Sequence, residues 1–442
     1  MRNSTQSILR STLLFALMLG LAACGGDGGG DVRGSGGADS TPGTASNTQV
    51  ADTTSSEVVY AGSVGDGPIT GATVTVYSVS GTVLDRIVSD GHAKYQVRIK
   101  TRGQDYPLRL EASGGIDLVT GRAPDFTMVS VIVHPSVKTA NINPFSTLIA
   151  LAAEKLPGGI SRTNVSTATT RVMDKLSLGL DSRQVPDPIT STITDSNVAH
   201  IVKASEALGE VIRRTRDLMA TAGQRLDGDA VMAALAADIT DGLLDGRGSD
   251  ASNATISAVA KVVSGQVLVE ALSNNLRVDG IVATGVLDQS ILTTHPGVSA
   301  SELTGNVRTT ASMLQQARIA VAAARVLDTS TPLANIARVL AGLNANTTAS
   351  SVATALPADS SLALSGVVGM TPFASPVEIA AVNAVVAAGS SPAAQNTPPS
   401  ISGSPTVSVV AGNFYSFQPV ASDADGNALT FNISGRPGWA SV

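Results

Sequence analysis

Gly62-Ser-Val-Gly-Asp-Gly-Pro-Ile-Thr-Gly-Ala-Thr-Val74 is the stretch whose reading decides the fold of the N-terminal half. Asp66, Gly67 and Pro68 supply turn conformations, and Gly71 permits a positive φ. Ala72, Val74 and Val76 then alternate with polar positions, as a half-buried strand does. Moving outward, the same period of two runs through Tyr95-Gln-Val97-Arg-Ile99-Lys and Tyr106-Pro-Leu108-Arg-Leu110-Glu, with turn signals between the runs. From about 57 to 133 this spacing predicts a small β-sandwich.

Taken with Ser89-Asp-Gly-His-Ala-Lys-Tyr95, the stretch from Gly62 to Val74 resembles the carboxypeptidase regulatory-like and related prealbumin-like domains of bacterial surface proteins. There, Asp-Gly-Pro-Ile-x-Gly-Ala-x-Val joins two strands. The resemblance implies a spacer or attachment module over 57–138 and no catalysis. Ala93 departs from it, because the family's turn has Gly at that point. A left-handed backbone would cost Ala about 1 kcal/mol, which predicts a turn built differently.

From 139 to 389 the pattern turns helical, and this region is expected to be an α-helical, Ala-rich domain. Asn143 is placed to cap a helix whose first turn holds Pro144. Over 198–219, Ile201, Ala204, Leu208, Val211, Ile212, Leu218 and Met219 share one face. Lys203, Glu206, Glu210, Arg213, Arg214 and Asp217 lie largely off it, which predicts a polar outer face. Further helices are expected at 228–244, 254–273, 300–327 and 333–343. Between 140 and 390 the only aromatics are Phe145 and Phe373, so packing must rest on Ala, Val, Leu and Ile; Ala320, Ala322, Ala323 and Ala324 suit a close helix contact. Asp238, Asp241 and Asp245 fall on one face of a continued helix, where they read as solvated, with Gly242 and Gly246 as C-terminal caps.

After a Pro/Ser/Ala linker at 390–396, alternation returns in Val407-Ser-Val409 and Ala411-Gly-Asn-Phe-Tyr-Ser-Phe417. With Asn396-Thr-Pro-Pro399, Ala421-Ser-Asp-Ala-Asp-Gly-Asn-Ala-Leu-Thr-Phe431 and Pro437-Gly-Trp439, region 397–442 resembles the Ig-like and dystroglycan-type cadherin-like repeats. Such a sandwich needs roughly 90–100 residues, so the domain is expected to be incomplete, with further strands beyond Val442. Asp423, Asp425 and Asn427 alternate before and after Gly426 as a candidate calcium site, joined by Asn396 at the domain junction. Asp-Gly-Asn is also an ordinary hairpin turn, the reading favoured because the glutamate of an EF-hand loop is missing, and titration calorimetry with Ca²⁺ separates the two.

At the N-terminus, Arg2 and Arg10 precede the apolar run Leu13-Leu-Phe-Ala-Leu-Met-Leu-Gly-Leu-Ala-Ala23, which stops at Cys24. The run is shorter than the roughly 18–20 residues that cross a bilayer, so 1–23 reads as a cleaved signal peptide. Leu21-Ala22-Ala23-Cys24 resembles the lipobox of bacterial lipoproteins, which implies lipid on Cys24, and Gly25 after it implies the outer membrane. Cys24 is the only cysteine, so no internal disulfide competes for it. Residues 24–56 read as a flexible Gly/Ser/Thr-rich tether.

The fold class expected is therefore multidomain: a small β-sandwich, an α-helical domain and an incomplete Ig/cadherin-like sandwich. Without the leader, 27 basic face 35 acidic side chains, an acidic balance that argues against nucleic acid as partner. His92, His134, His200 and His295 stand alone in sequence and read as surface or satisfied residues. Neither a nucleophile elbow nor a phosphate loop is present. The expectation is a membrane-anchored, non-enzymatic binding, adhesion or scaffold protein of the cell envelope. Its partners would be the membrane through the lipid and a surface protein or polysaccharide. The alternative is the anchor and spacer of a larger envelope enzyme whose catalytic domain lies beyond residue 442.

Overall fold

Alternation of apolar and polar side chains, strictest at 94–101, is what makes strands within residues 56–132. The computed structural model describes residues 55–250, 253–305, 310–345, 347–390, 400–413, 415–422 and 431. Its strands begin with β1 (Ser56–Ser63), β2 (Ile69–Thr70), β3 (Thr73–Tyr77), β4 (Val83–Val88), β5 (Lys94–Thr101), β6 (Leu108–Ser113), β7 (Ile116–Asp117) and β8 (Met128–Ile132). In β5, Tyr95, Val97, Ile99 and Thr101 point inward while Lys94, Gln96, Arg98 and Lys100 face water.

β4, β3, β6 and β8 form a four-stranded antiparallel sheet in that spatial order. β1 and β5 make a second antiparallel ladder, with Val58 opposite Ile99 and Tyr60 opposite Val97. The short β2 and β7 pair with each other. Val74, Val76, Leu108 and Leu110 of the four-stranded sheet and Val58, Tyr60, Val97 and Ile99 of the ladder belong to one buried cluster.

The helices are α1 (Pro144–Lys155), α2 (Arg162–Leu176), α3 (Val198–Thr221), α4 (Gly228–Asp238) and α5 (Ala254–Leu272). A hairpin of β9 (Arg277–Val278) and β10 (Ile281–Val282) precedes α6 (Thr284–Thr294) and α7 (Ala300–Gly305). Then come α8 (Ala311–Ala324), α9 (Thr331–Gly342), α10 (Ala349–Ala355), α11 (Ser360–Met370) and α12 (Pro376–Ser390). A last pair, β11 (Ser400–Ser402) and β12 (Val420–Ser422), is antiparallel, with Ile401 opposite Ala421. The chain thus has an N-terminal region of small sheets, a helical centre and a short strand pair beyond it.

α1 starts as the sequence predicts. Asn143 accepts from the Ser146 amide at 2.8 Å, the Ser146 hydroxyl accepts from the Asn143 amide at 2.9 Å, and Pro144 fills the first turn. Its N-terminus is fixed to β8, because Val129 N–H donates to Thr147 Oγ1 at 2.9 Å and the Ser146 hydroxyl donates to the Val129 carbonyl. This cover explains why every position of β8 is buried.

α5 has the length and apolarity of a membrane span, yet 89 % of its apolar window is buried inside the protein, where it is the central helix. A side chain on Gly265 would lie 3.1 Å from Ala320 Cβ of α8, so small residues set the spacing of this helix pair. Ala320, Ala323 and Ala324 are buried there and Ala322 is exposed.

Two boundaries differ from expectation. The helix expected over 300–327 is two helices, α7 and α8, and Thr310 caps the second by accepting from the Met313 amide at 3.0 Å. The helix expected over 228–244 ends earlier, in a 3-10 turn at Ile239–Asp241 closed by Gly242 at φ +94°.

Candidate functional site

The turn that opens the sequence reading, Gly65–Pro68, does not face water. Gly65 N–H donates to the Ile142 carbonyl at 2.9 Å, which presses the turn against the start of the helical region. A side chain on Gly67 would stand 2.5 Å from Asp117 Oδ1 of β7 and 3.2 Å from Glu206 Oε2 of α3, so only glycine fits between them. Gly209 lies against the same turn from the helix side, since a side chain there would come within 2.5 Å of Asp66 Oδ2.

Between these two glycines sits a buried ionic cluster. Arg213 of α3 binds Asp66 Oδ2 through Nη1 at 2.7 Å, Glu210 Oε1 through Nε at 2.8 Å, and Glu206 through Nη2. Arg214 extends the chain of charges to Glu210 Oε2 at 2.7 Å and to Glu270 Oε2 of α5 at 2.8 Å. Glu270 also accepts from Gln266 Nε2 at 3.0 Å and from the Arg277 amide at 3.1 Å. Glu206, Glu210 and Arg213 were expected on a polar outer face; instead they are buried at 0 %, 2 % and 5 % exposure. That face of α3 is covered by the Gly65–Pro68 turn and by α5, and mutual pairing makes the burial of the charges tolerable. Desolvation offsets much of the attraction in such a cluster, whereas removing one partner costs about 3–5 kcal/mol, so its main product is a fixed orientation of turn against helix.

Two carboxylate oxygens in the cluster, Asp66 Oδ1 and Glu206 Oε2, have no hydrogen-bond partner. Burial pushes the Asp66 carboxyl up to about 7 against the pull of Arg213, with Asp117 adding to the rise. Glu206 is held well above the carboxylate range, first by burial and then by Asp66. Burial works against the charge on Arg213, but Glu206, Asp66 and Glu210 outweigh it and hold the guanidinium protonated. Asp117 has its own donors, the Val119 amide at 2.9 Å, the Thr120 amide at 3.1 Å and the Thr120 hydroxyl at 2.7 Å. On the outer side an open cleft of about 670 Å³, lined by Glu210, Arg213, Arg214, Asp217, Arg277 and Ser361, brings solvent to the edge of the cluster.

The other end of the same turn borders a small cavity of about 40 Å³ lined by Gly65, Gly67, His92, Asn143, Ser205 and His295 among others. His92 Nδ1 meets the Thr294 carbonyl at 3.1 Å, and His295 Nδ1 meets Thr294 Oγ1 at 3.1 Å. The four histidines were expected to be surface or satisfied. His92 and His134 are exposed, but His295 is buried and its Nε2, like Ser205 Oγ, has no partner. Burial lowers the His295 pKa, Lys94 adds to the effect and Asp195 opposes it. Sequence could not join His92 to the Thr294-His295 pair, because the fold brings His92 to the Thr294 carbonyl across 202 residues.

The acidic stretch after α4 is also corrected. Asp238 and Asp245, read as solvated, are buried at 1 % and 4 %. Asp238 accepts from the Gly246 amide at 2.9 Å and the Arg247 amide at 3.0 Å, while Asp245 accepts from the Arg247 amide at 3.1 Å. Asp241 is exposed and accepts from the Leu243 amide. These carboxylates fold the loop that reverses the chain into α5. Gly242 and Gly246 both take positive φ, as capping glycines do.

Cys24 and the candidate calcium ligands Asn396, Asp423, Asp425 and Asn427 lie outside the described residues. Among the described residues, no group of three or more His, Cys, Asp or Glu side chains is placed to hold a metal ion. Compared with known protein families, with curated proteins and with solved structures, the chain matches none.

Proposed function

We propose that this is a lipid-anchored protein of the bacterial cell envelope, held at the membrane through acyl chains on Cys24, that acts as a binding, adhesion or scaffold module and not as an enzyme. The observation that carries the reading is Leu21-Ala22-Ala23-Cys24: the chain's one cysteine ends a short apolar run preceded by Arg2 and Arg10. Two or more acyl chains anchor durably, because each buried methylene contributes about 0.8 kcal/mol and one chain alone binds marginally.

In this proposal the β-region is a sandwich of the carboxypeptidase regulatory-like kind. Support comes from Gly71 at φ +72° after the Asp66-Gly67-Pro68 turn, and from two ladders whose inward residues share one core. Region 397–442 is read as the start of an Ig/cadherin-like repeat, with Asn396, Asp423, Asp425 and Asn427 as its calcium candidates. The tether of 24–56 sets the folded body on the order of 30 Å from the headgroups, where it meets a surface protein or polysaccharide.

The test is metabolic labelling with a fatty acid in cells. The parent protein takes up label and sediments with membranes; Cys24→Ser loses both while its thermal unfolding is unchanged. An unlabelled parent protein overturns the anchor.

A further inference from the structure

Around Arg213 and Arg214 the fold buries more carboxyl groups than cations. Asp66, Glu206, Glu210 and Glu270 bind two guanidinium groups, and the leftover oxygens, Asp66 Oδ1 and Glu206 Oε2, are buried with no donor. Both belong to carboxyls that Arg213 holds side by side across the seam, one from the β1–β2 turn and one from α3. A buried carboxylate oxygen without a donor is costly when ionised and far less so when its group is protonated.

We propose that Asp66 and Glu206 together retain one proton, and that this proton latches the β-region to α3, so that the seam is tight at pH 5 and below and loosens as the pH rises to neutrality. Every charged group that faces the pair fits this. Asp117 of β7 and Glu210 of α3 repel a second negative charge, while Arg213 is shared with Glu210, and Arg214 is committed to Glu210 and Glu270. His92 and His295, across the adjoining cavity, are the other titratable neighbours. The open cleft beside Glu210 and Arg213 gives the proton a route to solvent.

The sign follows from where the proton sits. Both carboxyls lie above their unfolded values, so the folded chain binds more protons between the ordinary carboxylate range and about pH 7. The stabilisation is complete below the unfolded pKa and is lost as pH rises through the folded one.

Hydrogen exchange of the Val64 and Gly65 amides in the full chain reads the latch, because these donate across the seam's own turn to Ala93 and Ile142. After correction for intrinsic exchange, the opening constant should grow by up to about tenfold per pH unit between 5 and 7. It should become independent of pH in Glu206→Gln and keep its slope in His295→Gln. Should Glu206→Gln fail to fold, the carboxyl ¹³C titration of the parent protein decides alone: one group of the pair titrates above pH 6. A flat opening constant in the parent, a slope abolished by His295→Gln, or both carboxyls titrating below pH 5 overturns the proposal.

Discussion

Ala93 takes φ +56°, the left-handed backbone that favours glycine, so the conformation that the sequence marked as costly for Ala is the one adopted. Its N–H bonds the Asp90 carbonyl at 3.0 Å and its carbonyl accepts from Val64, so both backbone groups are used. The left-handed form costs Ala about 1–2 kcal/mol. Against that, Ala93 is 3 % exposed, and its buried methyl contributes on the order of 0.8 kcal/mol. Replacing it by Gly would also cost about 0.4–1 kcal/mol through the unfolded chain. The terms nearly cancel, so Ala93→Gly should shift stability by no more than about 0.5 kcal/mol, whereas Ala93→Val, β-branched at positive φ, should lose well over 1 kcal/mol. Denaturant midpoints at unchanged slope check both. A gain of 2 kcal/mol in Ala93→Gly would mean that the methyl does not pack.

At the scale of the element, two helical glycines make opposite predictions from the same propensity. Gly→Ala inside a helix is favourable by about 1 kcal/mol when nothing else changes. Gly366 of α11 has open space where a side chain would go, so Gly366→Ala should stabilise by up to that amount. On α3, the added methyl at Gly209 would sit 2.5 Å from Asp66 Oδ2 and 3.0 Å from Arg213 Nη1, inside a cluster that cannot move without exposing charge. Overpacking of this kind costs about 1–3 kcal/mol and exceeds the propensity gain, so Gly209→Ala should lower the thermal midpoint. If both substitutions stabilise, the turn is not seated on α3 as described. The amphipathic pattern of α3 located its apolar face but mislaid its charges, because a helical wheel treats everything off the apolar stripe as solvent-facing. Here a second element covers that side.

Over the whole molecule, one buried cluster runs from Val58 to Val386, through the β-region and the helices alike. The join at 138–142 is stitched on both sides: Ala61 N–H to the Lys138 carbonyl, Ala140 N–H to Ala61, Ile142 N–H to Ser63 and Asn141 N–H to Ile189, all within 3.0 Å. Arg216–Asp125 at 3.2 Å and Thr127 N–H to Asp229 at 2.7 Å add ties between α3, α4 and the segment before β8. Limited proteolysis should therefore cut first near 30–55 and 390–397, where composition marks linkers, and spare 133–143. Early cleavage within 133–143 or inside 200–330 would contradict the shared core. By itself the sequence determined the strands with strict alternation, the capped start of α1 and the apolar face of α3. Each of these is written in neighbouring residues, through side-chain period or turn chemistry. Only the tertiary structure decided that the Asp66 turn is the seat of Arg213, that Glu206 and Asp238 are buried, and that His92 and His295 line one cavity. Those outcomes depend on which surfaces cover one another, and burial of a charged side chain becomes affordable only when its partner, 147 residues away in the case of Asp66 and Arg213, arrives with it.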